Sequence, residues 1–238
     1  MAKTSRAQAT AEVAARDPRL AELIERAGPL HPLSRRADGH FGALARTIML
    51  QQLAGRAAQT IIGRVVEAVG GELTPEAIQV TPDEHLRSAG LSANKLASLR
   101  DLSTKVLDGT VDLAPSSRRS DDDIIDNLTI VRGIGPWTAE MFLIYELRRF
   151  DVWPVGDLGV RHGYALIWGL DDVPTAEQLA PLGDKFRPYR SIVARYCWTA
   201  LEVLKHDPAP VVDHQEAGPG VIPHRDGPSA PQTPRSRR

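Results

Sequence analysis

Residues 120–139 read Ser-Asp-Asp-Asp-Ile-Ile-Asp-Asn-Leu-Thr-Ile-Val-Arg-Gly-Ile-Gly-Pro-Trp-Thr-Ala, and this stretch decides the fold. Ser120, with an acid three residues later, has the capping-box pattern that begins a helix. Gly133 and Gly135 interrupt the helical pattern, and Pro136 suits the first position of a new helix, where an N–H would have no partner. The pattern therefore predicts a helix, a tight Gly-Ile-Gly turn and a second helix.

The turn alone is open to two interpretations. Glycines let a backbone approach another molecule closely. The unpaired N–H groups at the positive end of the following helix can bind a phosphate. An ordinary helical hairpin without a ligand has the same Gly-x-Gly pattern, so the turn by itself favours a purely structural role.

A longer string changes that balance. Val-Arg-Gly-Ile-Gly-Pro-Trp-Thr-Ala-Glu, residues 131–140, resembles the helix-hairpin-helix of the DNA glycosylase superfamily, and within it the DNA-3-methyladenine glycosylase II family, which removes alkylated bases. The resemblance covers roughly residues 40–205 and includes a Gln-Gln segment at 48–64 and Pro-Tyr-Arg-Ser at 188–191. It implies two helical lobes, one from the middle of the chain and one from both ends, with DNA at the cleft.

The whole chain favours an all-α fold, because apolar residues recur with helical spacing and no convincing strand pattern is present. We predict a flexible N-terminus at 1–15 and a helix-hairpin-helix glycosylase domain at 16–205, with its hairpin at 120–149. Residues 206–238 are rich in proline and lack a periodic apolar face, which is typical of a disordered tail.

Composition limits the chemistry. The formal net charge of −1 over 238 residues is not that of a globally basic protein, so a hold on DNA must come from a local patch or from backbone amides. The single cysteine, Cys197, excludes an internal disulfide, a four-cysteine zinc site and a four-cysteine iron–sulfur cluster, and is expected in the core. No apolar run approaches a membrane span and no signal stretch is evident, so we expect no membrane association and a cytoplasmic, nucleoid-associated location.

Asp157 is the candidate catalytic residue. An aspartate that opens a helix is usually an N-cap, and the sequence around Asp157 fits that simpler role. The resemblance implies more, because Asp157 lies 20 residues after Trp137, where the family places its catalytic aspartate. Cleavage of an N-glycosidic bond develops positive charge on the sugar, which a carboxylate stabilises while it orients or deprotonates the attacking water.

Trp137 predicts that the enzyme is monofunctional. Superfamily members that also cut the strand have a lysine at this position, which attacks the sugar and forms a Schiff base. Here the position holds tryptophan, and no lysine occurs between Lys105 and Lys185. The expected reaction is hydrolysis that leaves an abasic site for base excision repair, without strand cleavage.

The resemblance also implies a pocket for the base. The face of Trp137 would attract a cationic alkylated ring by about 0.5–2 kcal/mol. Met141 follows one turn later, where a close relative has an aromatic residue, and Trp198 matches another pocket aromatic. For Trp198 a core role and a pocket role are equally consistent with the sequence, whereas Tyr145 is expected in the core.

The predicted DNA contacts fall in two segments. In the hairpin, backbone N–H groups of Gly133, Gly135 and Thr138 would hold a phosphate, helped by Arg132 and Arg161. The resemblance further implies a structural Na⁺ or K⁺ under the hairpin, but no catalytic cofactor. The predicted carbonyl ligands of this cation belong to Thr129, Val131 and Ile134.

The Gln-Gln segment is the second one. The resemblance assigns to Gln52, and less firmly to Leu53, the wedge that fills the gap left by an extruded nucleotide. Alternatively, Gln51 and Gln52 only bond backbone groups at a helix junction. Nearby, Ser92 and Lys95 are expected to be a helix cap and a solvated lysine rather than phosphate contacts.

The leading hypothesis is thus a glycosylase for 3-methyladenine and 7-methylguanine type lesions, acting as a monomer on double-stranded DNA that contains a damaged base. Three alternatives remain at this point: a glycosylase for deaminated or oxidised bases, a non-catalytic helix-hairpin-helix DNA-binding protein, and a helical scaffold. Only the catalytic hypotheses require both Asp157 and an aromatic slot.

Overall fold

The computed structural model describes residues 4–33, 38–51, 55–114 and 119–204, without the side chains of residues 55–57. Over these ranges the chain is helical and contains no β-strand. None of the described helices is long and apolar enough to cross a membrane. The helices are α1 Arg6–Arg16, α2 Pro18–Ala27, α3 Gly39–Leu50, α4 Gly55–Ala68, α5 Pro75–Val80, α6 Asp83–Ser88, α7 Ala93–Leu107, α8 Asp121–Thr129, α9 Pro136–Met141, α10 Leu158–Trp168, α11 Ala176–Leu182 and α12 Arg190–Val203.

The predicted helix starts are confirmed where a short-range cap defines them. Ser120 forms a complete capping box with Asp123 at the start of α8, and Thr175 forms one with Gln178 at α11. Asp17 caps α2 ahead of Pro18, and Pro136 is the first residue of α9. Such bonds satisfy N–H groups that no helical carbonyl can reach, so they depend on sequence neighbours alone.

Two apolar clusters give the two-lobed arrangement. The first cluster lies in the middle of the chain, and its buried members extend from Phe41 to Val152. The second combines both ends, from Ala9 to Leu23 and from Trp153 to Ala200. Trp198 packs against both clusters and so lies where the lobes meet.

Helices α10 and α12 pack closely against each other in the second lobe, next to the boundary between the lobes. A Cβ atom on Gly163 would lie 1.9 Å from the carbonyl oxygen of Cys197, so only glycine allows the two helices to approach this closely. Cys197 is fully buried there, as expected of a small core residue, and burial raises the pKa of its thiol. The N-terminus of α10 is thereby held against the side chains of α12.

Two expectations need correction. Residues 1–15 are not a flexible start as far as they are described, since α1 begins with a capping box of Ser5 and Gln8 and buries Ala9 and Val13 in the second cluster. The helix after the hairpin ends earlier than Arg149: beyond α9 it continues as a π-helical turn, Phe142–Glu146. The predicted tail at 206–238 lies outside the described residues.

Candidate active site

Asp157 lies at the lobe boundary as the N-cap of α10. Its Oδ1 accepts the backbone N–H of Val160 at 2.7 Å and the indole N–H of Trp198 at 2.9 Å. Its Oδ2 accepts the indole N–H of Trp137 at 2.6 Å. The residue is 8% exposed. Each carboxylate oxygen has two acceptor positions, so Oδ2 keeps one for a further donor such as water. Asp157 therefore combines the capping role with a free acceptor.

Trp137 presents an open surface directly beside this carboxylate. It lies in the first turn of α9 and is 45% exposed, although its N–H points at Asp157. A large aromatic ring that is half exposed and fixed at one edge can stack against a planar ligand. The arrangement places an indole face next to the carboxylate, as the pocket hypothesis requires.

Trp198 contributes to both the core and the site. It packs against both clusters while its N–H binds Asp157. Tyr145, which was expected in the core, is 42% exposed and stacks on Trp198 with ring centroids 5.8 Å apart. The expectation for Tyr145 was wrong because a helix face next to a cleft is only half covered. A Cβ on Gly159 would lie 2.9 Å from the Trp198 ring and 3.0 Å from Asp157 Oδ1, so glycine is required here.

Met141 has a less direct relation to the site. It is only partly buried and packs against the first cluster. Met141 lies one turn after Trp137, and the described residues show no contact between Met141 and Asp157. That Met141 lines the base pocket stays a prediction.

The charge around Asp157 is the feature that the sequence did not predict. No described lysine or arginine forms an ion pair with Asp157. A second carboxylate, Glu140, lies three residues after Trp137 and is affected by the charge of Asp157. Burial, reinforced by the negative charge of Asp157, raises the pKa of Glu140 from an ordinary 4.5 to about 7. Burial also raises the pKa of Tyr145, with Asp157 adding to the effect and Arg195 opposing it.

Glu140 lines a cleft of about 780 Å³ that is bordered by charged side chains of α8, the α9–α10 connection, the segment before α12 and the first residue of α12. These charged groups are Asp121, Asp122, Asp151, Asp184, Arg187 and Arg190. No sequence pattern marks Glu140, because a glutamate after Thr-Ala in a helix is usually solvated.

The hairpin turn has the geometry of a surface that another molecule could approach. Gly133 has φ +79°, a conformation that favours glycine, and a Cβ there would meet Ser98 Oγ at 2.7 Å. Gly135 is the N-cap of α9 and is exposed, and a Cβ there would meet nothing within 4 Å. The chain's own packing therefore does not require glycine at 135. Thr138 is buried in the first turn of α9.

The two arginines predicted to bind a DNA phosphate differ in how exposed their guanidinium groups are. Arg132 is exposed, and its guanidinium makes a 3.3 Å bond to Asn94. Arg161 turns back toward the loop before α11 and donates to the Pro174 carbonyl at 3.4 Å, while its Nε is buried without a partner among the described residues. Arg132 is the better placed of the two.

The carbonyls proposed for a monovalent cation fit such a ligand. Val131 O accepts the N–H of Ile134 at 3.1 Å, and in the described chain no backbone hydrogen bond reaches the carbonyls of Thr129 and Ile134. Neutral carbonyl oxygens are the ligands that Na⁺ and K⁺ use. Within the described ranges, no group of three or more histidine, cysteine, aspartate or glutamate side chains could hold a metal ion.

The Gln-Gln segment is described only in part. Gln51 donates its amide to the Gly133 carbonyl at 2.9 Å, a bond to backbone of the kind that the alternative interpretation expects. Gln52 and Leu53, the predicted wedge, lie outside the described residues.

Comparison with known proteins agrees with this architecture. A family model described as HhH-GPD superfamily base excision DNA repair protein matches residues 45–188. The chain belongs to the HhH-GPD superfamily. The matched residues of this HhH-GPD member include the hairpin, Trp137 and Asp157 but end before Trp198.

Similar HhH-GPD proteins cover most of the chain. DNA-3-methyladenine glycosylase 1 of Schizosaccharomyces pombe is 32% identical over 191 residues, which are 79% of this chain and 83% of that protein. The structure of a Bacillus halodurans DNA-3-methyladenine glycosidase superposes with a TM-score of 0.76 at 33% identity, covering 87% of this chain and 94% of that one. The S. pombe 3-methyladenine glycosylase Mag1, solved with abasic DNA, has a TM-score of 0.71 at 31% identity and covers 80% and 95%.

Proposed function

We propose that this protein is a monofunctional DNA glycosylase that hydrolyses the N-glycosidic bond of alkylated bases in duplex DNA and leaves an abasic site for base excision repair. The observation that carries the proposal is the pairing of a buried carboxylate, Asp157, which has no ion-pair partner among the described residues, with the half-exposed ring of Trp137. The names of its similar proteins, DNA-3-methyladenine glycosylases from a yeast and a bacillus, support the same substrate class.

The geometry suggests how the residues act. The damaged nucleotide leaves the duplex, because its glycosidic bond cannot be reached inside the stack. The cationic base stacks on the face of Trp137, with Met141 and Trp198 completing the pocket. As the bond breaks, the charge of Asp157 stabilises the positive sugar, and the free acceptor position on Oδ2 orients the attacking water. An alkylated base is already cationic and leaves without prior protonation.

The positions of the described lysines support the monofunctional reaction. A lyase needs an amine that reaches the sugar carbon. Lys95 donates to the Met49 carbonyl, Lys105 pairs with Asp101, and Lys185 pairs with Asp17. None of these three described lysines contacts Asp157 or Trp137.

Duplex DNA is the proposed partner, bound by one copy of the protein. The exposed turn at Gly133 and Gly135, the N–H of Thr138 and the side chain of Arg132 are suited to a backbone phosphate. Arg161 is proposed as a weaker contributor. A Na⁺ or K⁺ on the carbonyls of Thr129, Val131 and Ile134 would hold the turn in its phosphate-binding shape, and Gln52 or Leu53 would fill the gap left by the extruded base.

A panel of duplexes tests the proposal. Each duplex carries one lesion: 3-methyladenine, 7-methylguanine, hypoxanthine, uracil or 8-oxoguanine. The expected result is release of the two methylated bases, with strand breakage only after alkali treatment. Breakage without alkali would contradict the monofunctional reaction. Release of only hypoxanthine, uracil or 8-oxoguanine would move the substrate class to deaminated or oxidised bases, and binding with no release at all would leave a DNA-binding module.

A further inference from the structure

Gln51 connects two segments that are far apart in the sequence. Helix α3 ends at Leu50, and Gln51 leaves the helix with φ −50° and ψ 132°. Its amide nitrogen lies 2.9 Å from the carbonyl oxygen of Gly133 and 3.4 Å from the hydroxyl oxygen of Thr138. Gly133 is the first residue of the hairpin turn and Thr138 follows the turn, so one side chain bonds to both ends of it.

A second set of contacts supports the same junction from α7. Lys95, expected to be solvated, donates its ammonium to the Met49 carbonyl at the end of α3 at 2.7 Å, and burial lowers its pKa. Six residues later on α7, Asp101 accepts the backbone N–H of Arg132 at 2.7 Å. Helix α7 therefore binds both the end of α3, through Lys95, and the start of the hairpin turn, through Asp101.

We propose that Gln51 is a positioning residue that sets the end of α3 in register with the hairpin turn, so that phosphate binding and extrusion of the damaged nucleotide are coupled. The inference rests on the proposed function. Extrusion requires a group that enters the duplex while the hairpin holds the backbone, and both must keep a fixed separation. The residue that follows Gln51 is only one peptide unit, about 3.8 Å, further along the chain. A displacement of about 1 Å in such an arrangement can cost about 100-fold in rate.

The substitution Gln51→Glu tests this with little change of shape. A glutamate has no N–H to donate, so it loses the bond to the Gly133 carbonyl and brings a negative charge beside that oxygen. Gln79 offers a matched control elsewhere in the first lobe. Its amide likewise donates to a backbone carbonyl, of Arg100 at 3.2 Å, and to a threonine hydroxyl, of Thr104 at 2.7 Å. None of the Gln79 partners belongs to the hairpin.

Three measurements apply to the wild type, Gln51→Glu and Gln79→Glu: the fluorescence of 2-aminopurine beside the lesion as a readout of extrusion, the dissociation constant for an abasic duplex, and the single-turnover rate of base release. We expect Gln51→Glu to reduce the fluorescence change and to lower the release rate about 10- to 100-fold. We expect Gln79→Glu to match the wild type in the fluorescence change and in the rate of base release.

A second substrate distinguishes loss of positioning from a general loss of activity in the variant. When the lesion lies opposite an abasic site it has no pairing partner and costs less to extrude, so the rate defect of Gln51→Glu should fall to about threefold or less. An equal defect on both substrates, or a fluorescence change like that of the wild type, would overturn the inference. Gln51→Ala serves as the second variant if Gln51→Glu fails to fold. Because the fluorescence readout needs no bond cleavage, it remains informative even if the wild type releases no base and the proposed function fails.

Discussion

Two buried aspartates in this protein have almost the same local structure. Asp17 caps α2 and accepts the indole N–H of Trp168 at 2.9 Å; Asp157 caps α10 and accepts the indole N–H groups of Trp137 and Trp198. They are 6% and 8% exposed. Burial, capping and a tryptophan donor therefore do not by themselves distinguish a structural carboxylate from a candidate catalytic one.

The difference lies in charge and access. Lys185 donates its ammonium to Asp17 at 2.6 Å. Burial alone would raise the pKa of Asp17, but the hydrogen bonds from Lys185 and Trp168 outweigh it and lower the pKa. Trp168 is itself buried, whereas Trp137 is open, and the charge that Asp157 influences is a second carboxylate, Glu140. Among the described residues, a negative charge without an ion-pair partner beside an exposed ring distinguishes the candidate site from Asp17.

The largest expected effect comes from replacing each aspartate by asparagine. Asparagine caps a helix as well as aspartate does, so either helix start is kept. Asp157→Asn should lower the single-turnover rate of base release about 1000-fold or more while binding of an abasic duplex persists. Asp17→Asn should leave the rate per folded molecule unchanged and lower the free energy of unfolding by about 1–3 kcal/mol, since the charged hydrogen bond with Lys185 is lost.

Release kinetics with a methylated duplex and chemical denaturation of each variant measure these two effects. If Asp157→Asn released base at the wild-type rate, Asp157 would be a cap like Asp17 and the catalytic assignment would be wrong. A rate loss in Asp17→Asn equal to that in Asp157→Asn would show that charge and access do not separate the roles of the two aspartates.

The second effect concerns Glu140 and pH. Because its pKa is raised from 4.5 to about 7, the folded protein binds a proton that the unfolded chain has released between these values. Stability from this group is complete below pH 4.5 and falls as the pH rises to about 7. Glu140→Gln should remove that part of the pH dependence and raise the free energy of unfolding at pH 8, by about 3 kcal/mol at most.

Denaturation curves between pH 4 and pH 8 measure this difference. The charge on Asp157 contributes to the raised pKa, so Asp157→Asn should move the titration of Glu140 to lower pH, whereas Asp17→Asn should not. Curves for the wild type and Glu140→Gln that run parallel across this range would show that Glu140 is an ordinary solvated acid.

Local patterns predicted most of the fold. The capping bonds of Asp17, Ser120 and Thr175 reach backbone groups only two or three positions away, so the local sequence is enough to predict these helix starts. Helix α1 was missed because its apolar content is low and its stability depends on burial of Ala9 and Val13 against residues near the other end of the chain. The π-helical turn at Phe142–Glu146 has no signature of its own in the sequence.

Only part of the candidate site was predictable from the sequence. Asp157 and Trp137 follow from a motif of fixed spacing, and the structure brings them within 2.6 Å of each other. Their roles stay predictions until the variants are measured. Glu140, Gln51 and the exposure of Tyr145 depend on contacts between segments far apart in the sequence, which no local pattern encodes.

The smallest effect separates the two tryptophans that bind these aspartates. Phenylalanine keeps an aromatic face but has no N–H. Trp137→Phe should lower the rate of base release about 10-fold, because Asp157 loses one of three donors that orient it, and should barely change stability since the ring is half exposed. Trp168 is buried and stacks on Tyr164 with centroids 3.9 Å apart, so Trp168→Phe should cost about 1–3 kcal/mol of stability and leave the rate of the folded protein unchanged. Release kinetics and denaturation of the two variants test this. If the two outcomes were exchanged, Asp17 rather than Asp157 would be the candidate catalytic carboxylate.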